Sequence, residues 1–359
     1  MTDINGLTPE YLQSEYGLDI NNADDRNLLV GSLASAQAAY PGRFPTPFTG
    51  FPTYSSLAQA LTRFPQVQYP PGPVWAPQGR TWYDSLQVSL TKRFAHNFSF
   101  NYNFSFQKEM TIGAEASYFF AAPRSPLMND VLNRSVNKYI SGLSRPFLSN
   151  LSVSYTTPRI FSGTRWLSAI LRDWQITALF RYSSAYPLQV PSASSNIQDV
   201  LARNVRTTFA NRVPGEPLFT DQNGNEIDIN SRDWDPSQTF VLNPNAWEEP
   251  ADGRFGASTA YFNDYRGIRH PQEGMGLARN FRFGREGRIN LQLRAEFTNI
   301  FNRTYLRDPF GSSLTSYRAT QTTNPVTGQP SGGFGYINVL DGQTASNVRS
   351  GMIVARFSF

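Results

Sequence analysis

The stretch that decides the fold is residues 98–106, which read Phe98-Ser99-Phe100-Asn101-Tyr102-Asn103-Phe104-Ser105-Phe106. Large aromatic side chains alternate here with small polar ones without a break. Because successive side chains of a β-strand point to opposite faces, this segment has one aromatic face and one hydroxyl and amide face. A strand that stands between lipid and a hydrated lumen has this pattern. The segment therefore predicts a membrane-spanning β-strand.

The same alternation recurs along the chain and predicts about seven antiparallel strands. In the segment 289–298 the odd positions are apolar and the even positions are polar or charged. A charged pair at Arg294 and Glu296 would cost free energy if it faced lipid, and would cost little if it faced a hydrated lumen. We therefore expect the odd positions of this strand to face outward. The other alternating segments are 86–94, 150–155, 175–182, 277–283 and 351–359.

The connections between these segments alternate in length, as the periplasmic turns and extracellular loops of outer-membrane barrels do. Short or intermediate connections are predicted at 95–97, 158–173 and 284–287, and long ones rich in Pro, Asn, Ser and Gly at 108–146, 191–276 and 303–346. This places the C-terminus on the periplasmic side. We assign residues 1–80 to an outer loop region or its remnant, and residues 81–359 to a barrel segment.

Seven strands cannot close an up-and-down barrel made from a single chain, because such barrels have an even number of strands. An open sheet edge in lipid leaves backbone N–H and C=O groups unsatisfied, at several kcal/mol each. The expected fold is therefore all-β: an antiparallel up-and-down transmembrane β-barrel segment, incomplete, with long extracellular loops. It is either the C-terminal part of a larger barrel or a unit that closes with copies of itself.

The composition agrees with a membrane β-protein and argues against other classes. Aromatic residues make up 14% of the chain and charged residues 16%, against about 25% charged residues in an average soluble domain. No apolar run reaches the length of about 18 residues that a transmembrane helix needs. The net charge of +5 is not concentrated in a Lys/Arg run, so we expect no nucleic-acid partner.

Neither catalysis nor a metal site is indicated. The chain has no cysteine, and its two histidines are His96 and His270. No nucleophile elbow, P-loop or dinucleotide fingerprint is present, so we expect no enzyme activity and no cofactor. The segment 221–228 has oxygen side chains at alternate positions, as calcium loops do, but Glu226 and Arg232 stand where an EF-hand has Gly and Glu. Asn223-Gly224 favours a plain turn there.

The N-terminus carries no recognisable export signal. Residues 1–6 are polar and acidic, without a positive region followed by an apolar one. A barrel protein of the outer membrane must be exported, so we expect that the chain lacks its own beginning.

Several sequence segments, taken together, resemble one protein family. They are Phe240–Trp247, Gly253–Gly256, Tyr261–Arg266, Leu293–Arg303, Ser350–Phe359, Leu61–Gln66 and Asp84–Phe94. Together these segments are similar to the C-terminal part of Oar-like TonB-dependent outer-membrane receptors. Such proteins carry a carboxypeptidase-regulatory-like domain, a plug and a barrel of roughly 22 strands. The resemblance implies a missing plug and N-terminal barrel portion, a TonB system, and transport of a small-molecule, carbohydrate or peptide ligand.

Aromatic residues of the long loops are the candidate ligand contacts. Aromatic rings with Asn, Asp and Arg between them can stack on sugars or peptides at the mouth of a barrel. The alternative is that these rings pack the loops into a small cap of their own. The residues concerned are Trp234, Trp247, Tyr261, Phe262, Tyr265, Tyr305 and Tyr336.

The last residues resemble the C-terminal signal that the barrel-assembly machinery recognises. Ile353, Ala355, Phe357 and Phe359 share one face of the final strand. The alternative is an ordinary last strand whose aromatics lie in the membrane interface.

Three hypotheses remain on sequence alone. The first is a fragment of a TonB-dependent receptor in the outer membrane. The second is a structural or adhesive outer-membrane protein whose strands pair between chains. The third is a soluble all-β protein.

Overall fold

The computed structural model describes residues 6–66, 79–112, 129–130, 133–158, 173–193, 200–201, 208–231, 233–283, 289–304, 306–311, 321–339 and 348–358. Within these ranges the chain forms a helical segment, one large antiparallel sheet, and short strands in the connections of that sheet. None of the described helices is long and apolar enough to cross a membrane.

The N-terminal helical segment, residues 6–66, contains α1 (Pro9–Tyr16), α2 (Ala23–Val30), α3 (Leu33–Ala39) and α4 (Leu57–Ala60). Before each helix a polar side chain accepts a hydrogen bond from a backbone N–H of the first turn; these caps are Thr8, Asn22, Ser32 and Ser56. The helices share a fully buried core of Leu12, Leu29, Leu33 and Leu57. The described part of residues 1–80 is thus a folded helical unit, and its assignment to an outer loop region stays a prediction.

The strands, in chain order, are β1 (Arg80–Ala95), β2 (Phe98–Ile112), β3 (Lys138–Ile140), β4 (Phe147–Thr156), β5 (Trp174–Ser183), β6 (Pro187–Gln189), β7 (Ser192–Ala193), β8 (Thr208–Phe209), β9 (Asn211–Arg212), β10 (Trp247–Glu248), β11 (Tyr261–Arg266), β12 (Gln272–Phe283), β13 (Ile289–Thr298), β14 (Thr322–Thr323), β15 (Pro330–Gly332) and β16 (Ser350–Ser358). Two 3-10 helices lie at Arg134–Asn137 and Pro244–Ala246.

The main sheet confirms the predicted up-and-down arrangement of seven strands. β1, β2, β4, β5, β12, β13 and β16 are hydrogen-bonded in this order, and every neighbouring pair is antiparallel. β3 extends the sheet beside the end of β2, where Met110 lies opposite Ile140. Among the described strands no ladder joins β1 to β16, so the sheet is not closed into a barrel.

The turn between β1 and β2 is as short as the sequence predicted. Ala95 pairs with Phe98, so only His96 and Asn97 form the turn. Both have positive φ, 54° and 62°, as a type I′ turn requires, and this turn matches the twist of the flanking strands. The predicted turn 284–287 lies outside the described residues, as do residues 159–172.

The register places most apolar positions of the seven strands on one face of the sheet. One row of directly opposed residues reads Phe100, Val153, Ala178, Met275 and Phe297 across five strands. The neighbouring row is polar or small apart from Leu179, and reads Thr91, Asn101, Ser152, Leu179, Gly274, Thr298 and Ser350. Neighbouring rows lie on opposite faces, so the sheet has one apolar and one polar face.

The long connections all leave the sheet at the same end, which we call the loop end, and the opposite end is the turn end. The described parts of 138–146, 187–193, 208–268 and 306–339 pack around one hydrophobic core, and we call this unit the cap. Arg266 ties the cap together by donating hydrogen bonds to the carbonyls of Ser144 and Ala185, at 2.8 and 2.9 Å. Burial of this guanidinium lowers the pKa of Arg266. Val200 and Leu201 belong instead to the core of the helical segment, where the N–H of Leu7 donates to the carbonyl of Leu201 at 2.9 Å.

Candidate functional site

Large apolar side chains on the apolar face of the main sheet are more exposed than those on the surface of a water-soluble protein usually are. Ile353 is 81% exposed, Leu86 and Phe357 are 60% exposed, and Phe106 is 56% exposed. Soluble monomers rarely expose contiguous apolar patches larger than a few hundred Å². This face extends across seven strands, so it is suited to contact with hydrocarbon.

The polar face is concave. A groove of about 640 Å³ runs along it and is lined by side chains such as Thr91, Asn101 and Thr177. Arg294 and Glu296 lie in this groove as an ion pair. The even positions of β13 therefore face the concave, hydrated side, as the alternation predicted.

Three of the seven predicted ligand-contacting aromatics are instead packed into the core of the cap. Trp247, Tyr261 and Tyr265 are only 4%, 3% and 0% exposed, and the rings of Trp247 and Tyr265 lie 5.2 Å apart. The hydroxyl of Tyr265 has no hydrogen-bond partner among the described residues, and burial raises the pKa of Tyr265. In this structure these three rings offer almost no surface to a ligand.

The other four candidates have different environments. Phe262 is half-buried and packs against the core of the cap, with its ring centroid 6.3 Å from that of Trp247. Trp234 is half-buried and lines a cavity. Tyr336 is half-buried and stacks on Phe310, with ring centroids 6.0 Å apart and an interplanar angle of 6°. Tyr305 lies outside the described residues. Of the seven, Trp234 is therefore the one that the described structure places at a possible binding site.

The cavity that Trp234 lines lies between the cap and the rim of the main sheet at the loop end, and we call it the rim cavity. Its volume is about 1040 Å³, at the upper end of the range for small-molecule sites. Its wall combines aromatic rings with hydroxyl, amide and guanidinium groups, contributed by Phe147, Tyr182, Ser183, Ser184, Asn230, Arg269, Phe301, Asn302 and Arg303. The indole N–H of Trp234 donates to the carbonyl of Asp228 at 3.2 Å, which orients the ring.

A buried carboxylate holds one wall of the rim cavity in place. The side chain of Glu273, which is fully buried, accepts hydrogen bonds from Arg303 at 2.7 Å and from the hydroxyl of Tyr182 at 2.8 Å. Asn299 has a φ of 49°. Its side-chain oxygen accepts a hydrogen bond from the backbone N–H of Arg303, and its side-chain amide donates one to the carbonyl of Arg303. These contacts fold residues 299–303 back onto the rim of the sheet. We call residues 299–303 the rim clamp.

The rim clamp lies in the segment Leu293–Arg303, and the sequence pattern alone gave it no role. The signal was a cluster of Asn residues and an Arg directly after the end of β13, because Asn tolerates the left-handed conformation that such a tight reversal needs. The partner Glu273 could not be identified, since it lies 30 residues earlier in the chain.

The calcium-like segment forms a plain turn. The Asp221 carboxylate accepts hydrogen bonds from the backbone N–H groups of Asn223 and Asn225 and from the Asn225 side chain. The Asn225 side chain is the main reason why the pKa of Asp221 is lowered. Gly224 has φ of +81°. Within the described ranges no group of three or more His, Asp or Glu side chains is placed to hold a metal ion.

The outward face of β16 carries the proposed assembly signal. Ile353 and Phe357 are exposed on this face, and Phe359 lies outside the described residues. Exposure is compatible with either role considered above, so recognition by the barrel-assembly machinery stays a prediction.

Comparison with known proteins identifies the class. A family model described as "outer membrane beta barrel domain" matches residues 12–349, which covers nearly the whole chain. Searches of curated proteins and of solved structures each found no significant match. The match excludes the soluble all-β hypothesis and agrees with the lipid-suited face of the sheet. The chain belongs to the outer membrane beta barrel domain family, and its location is the cell outer membrane.

Proposed function

We propose that this chain is the C-terminal part of an Oar-like TonB-dependent outer-membrane receptor. The main sheet then forms a segment of the barrel wall, and the cap supplies the loops that contact the substrate. The rim cavity is the observation that carries this proposal, because it is a ligand-sized space held by extracellular loops over a membrane wall. The sequence segments that resemble this family, such as Leu293–Arg303 and Ser350–Phe359, support the family assignment.

The proposal implies several partners. Outer-membrane lipid surrounds the apolar face, and the barrel-assembly machinery inserts the strands. A plug, further barrel strands and a TonB system complete the transporter. Within it, the role of this chain is binding and positioning of the ligand, without catalysis.

The charges of the rim cavity favour a neutral ligand. Arg303 is neutralised by Glu273 at 2.7 Å, and Arg269 faces Asp228 at 4.0 Å. The remaining recognition groups are the rings of Trp234 and Phe301 and neighbouring hydroxyl and amide groups. Flat apolar surfaces beside hydrogen-bonding groups suit a neutral sugar or a short peptide, which presents both kinds of surface.

A binding experiment tests the ligand-contacting role. Purified protein in detergent is titrated by calorimetry with a panel of neutral oligosaccharides and short peptides. We expect at least one class to bind, and Trp234→Ala to weaken binding at least tenfold, because it removes the oriented ring. The matched control is Tyr54→Ala, since Tyr54 is 77% exposed on the helical segment and does not line the cavity.

An uptake experiment tests the TonB dependence. Cells that produce the complete receptor are given the ligand found by titration, with and without a functional TonB system. We expect uptake to stop when that system is deleted. Binding to none of the probes contradicts the ligand-contacting role, and unchanged uptake contradicts the TonB-dependent role.

A structural or adhesive outer-membrane protein is the second candidate. It is favoured by one observation: the main sheet ends in two open edges, at β1 and β16. In this alternative, strands of several chains pair with one another, and heat-modifiable oligomers are expected on a gel.

A further inference from the structure

The rim cavity lies on the outward, lipid-suited side of the main sheet. Phe147 is directly opposite Phe106, and Tyr182 stands in one row with Ser149 and Phe104. Directly opposed residues of neighbouring strands point to the same face, so Phe147 and Tyr182 share the outward face with these aromatics. Both line the cavity, which has no lining residue in common with the concave groove. The cavity therefore borders lipid and not the hydrated side of the wall.

The rim clamp covers the same face. The ring of Phe301 stacks on Phe180, with ring centroids 6.3 Å apart and an interplanar angle of 20°. Phe180 lies two residues before Tyr182 on the outward face, and Glu273 lies opposite Phe180. Arg303 reaches this Glu273 at 2.7 Å. Phe301 and Arg303, which both line the cavity, therefore overhang the outward side of the sheet.

The cavity lies at the height of the membrane interface. Trp174 begins β5 at the turn end, and the Arg279 guanidinium lies 5.3 Å from the centre of its ring, an arrangement typical of an interface. Tyr182 follows Trp174 by eight residues on β5. At about 3.3 Å per residue and a strand tilt of about 40°, this distance spans roughly 20 Å of an apolar band about 25 Å tall. The cavity is therefore next to the headgroups of the outer leaflet.

The wall of the cavity is suited to a neutral sugar. Both described arginines of the wall face a carboxylate, so the ligand needs no charge. The rings of Trp234 and Phe301 give flat surfaces on which the apolar side of a sugar ring can stack. Asn230 and Asn302 add amide groups that can form hydrogen bonds with sugar hydroxyls.

The outward face continues from the cavity as an apolar path toward the centre of the membrane. The ring centroid of Phe104 lies 5.5 Å from that of Phe147, and Phe104 is nearer the turn end. Leu151 and Phe180 are directly opposed in the next row of outward positions. Because this face is suited to hydrocarbon, an acyl chain joined to a sugar in the cavity can lie along these side chains.

We propose that the ligand of the rim cavity is a neutral glycolipid of the outer leaflet, which enters laterally from the membrane. Its sugar headgroup lies against Trp234 and Phe301, and its chain follows the outward face past Phe147 and Phe104. This inference rests on the ligand-contacting role proposed above, and it names the class of ligand. A water-soluble sugar would instead reach the cavity from the loop side.

Photo-cross-linking tests this route. The full chain is refolded in dodecylphosphocholine, whose hydrocarbon chains cover the outward face but carry no sugar. The probe is dodecyl maltoside with a diazirine on its sugar, and the labelled residues are mapped by mass spectrometry. The competitors are unlabelled dodecyl maltoside and, in larger excess, free maltose.

We expect the label on the wall of the rim cavity, with displacement by dodecyl maltoside and none by maltose. Trp234→Ala should reduce labelling of the other wall residues at least tenfold, because it removes the oriented ring. Phe301→Ala should reduce it severalfold, and it removes an exposed ring outside the core of the cap, so it tests the proposal even if Trp234→Ala fails to fold. Tyr54→Ala on the helical segment is the matched control and should change nothing.

Three results overturn the inference. Displacement by maltose means that the sugar enters from the loop side, which leaves the ligand-contacting role intact. Label spread over the outward face without preference for the cavity means detergent contact only. Unchanged labelling in both ring variants means that the rings do not bind the sugar. A failure of the ligand-contacting role is a different result, because the cavity then stays unlabelled and the calorimetric titration with soluble probes also shows no binding.

Discussion

The main sheet and the cap use the same kinds of residue in opposite ways. Both are rich in aromatic side chains, yet Phe106 in the sheet is 56% exposed and Tyr265 in the cap is fully buried. In the sheet the apolar surface faces outward, where lipid replaces water, and the polar surface lines the concave groove. In the cap the aromatics face one another in a dry core. The surrounding solvent therefore decides which side of an element is apolar.

The difference has a consequence for stability. The cap is held by the hydrophobic effect, since its core is removed from water. The sheet gains little from packing apolar side chains against one another, because lipid is equally apolar, and it depends on satisfied backbone hydrogen bonds. Substitutions of similar size should therefore have unequal effects in the two regions.

The largest expected effect is in the core of the cap. Tyr265→Ala should destabilise the cap by about 3–5 kcal/mol, because it removes a buried ring that packs against Trp247. Phe106→Ala on the sheet should leave the protease sensitivity of the cap unchanged, because Phe106 lies outside the cap core. Urea unfolding, followed by protease sensitivity of the cap, measures both. Tyr265→Phe is the control and should retain stability, because it removes only a buried hydroxyl without a described partner. Equal effects of the two alanine variants would refute the comparison.

The second prediction tests the two faces of one strand. Leu293→Arg should reduce folding into lipid vesicles by about 2–4 kcal/mol, because it places a cation against hydrocarbon. Gln292→Arg, on the next residue of β13, should have little effect, since it faces the concave side. A larger loss for Gln292→Arg would mean that the faces are reversed.

The rim clamp, at the junction of sheet and cap, should be sensitive to loss of one charge. Arg303→Ala leaves the buried Glu273 carboxylate without its ion-pair partner, and we expect a cost of about 1–3 kcal/mol. Cap melting in detergent measures the effect. The double variant Glu273→Gln with Arg303→Gln should recover part of the loss, because no buried charge remains. If it does not, the ion pair is not what stabilises the rim.

The smallest expected effect is on the exposed turn at Asp221. Its hydrogen bonds lower the pKa of this carboxyl, chiefly through the Asn225 side chain. A lowered pKa in the folded state means that the stabilisation is complete above the unfolded value, roughly pH 4, and is lost as the pH falls through the folded value. Amide exchange at Asn225, corrected for its intrinsic rate, should accelerate in acid. Asp221→Asn should abolish this pH dependence, and unchanged protection at low pH would contradict the assignment.

Local patterns made the sheet predictable. The alternation at residues 98–106 and 289–298 identified strands and their outward faces, and the Ala95–Asn97 segment identified a tight turn. These features depend on neighbouring residues, so they can be read without knowing the fold. The helical segment was not predicted although its caps Thr8, Asn22, Ser32 and Ser56 stand in the sequence, because its helices are short and its Pro-rich stretches suggested a loop.

The cap and the rim cavity could not be predicted in the same way. The contact of Glu273 with Tyr182 joins residues 91 positions apart, and its contact with Arg303 joins residues 30 apart. Whether Trp247 or Trp234 faces a core or a cavity depends on how the connections pack, and no periodicity records that.

The order of residues alone specified the class of this protein, its count of about seven strands and the outward faces of strands such as 98–106 and 289–298, because an alternation of period two has one structural meaning in a membrane wall. Folding in three dimensions decided which aromatics are buried, where the cavity lies and which face of the sheet it borders. These properties depend on contacts between distant segments, and such contacts form only once the whole chain has packed.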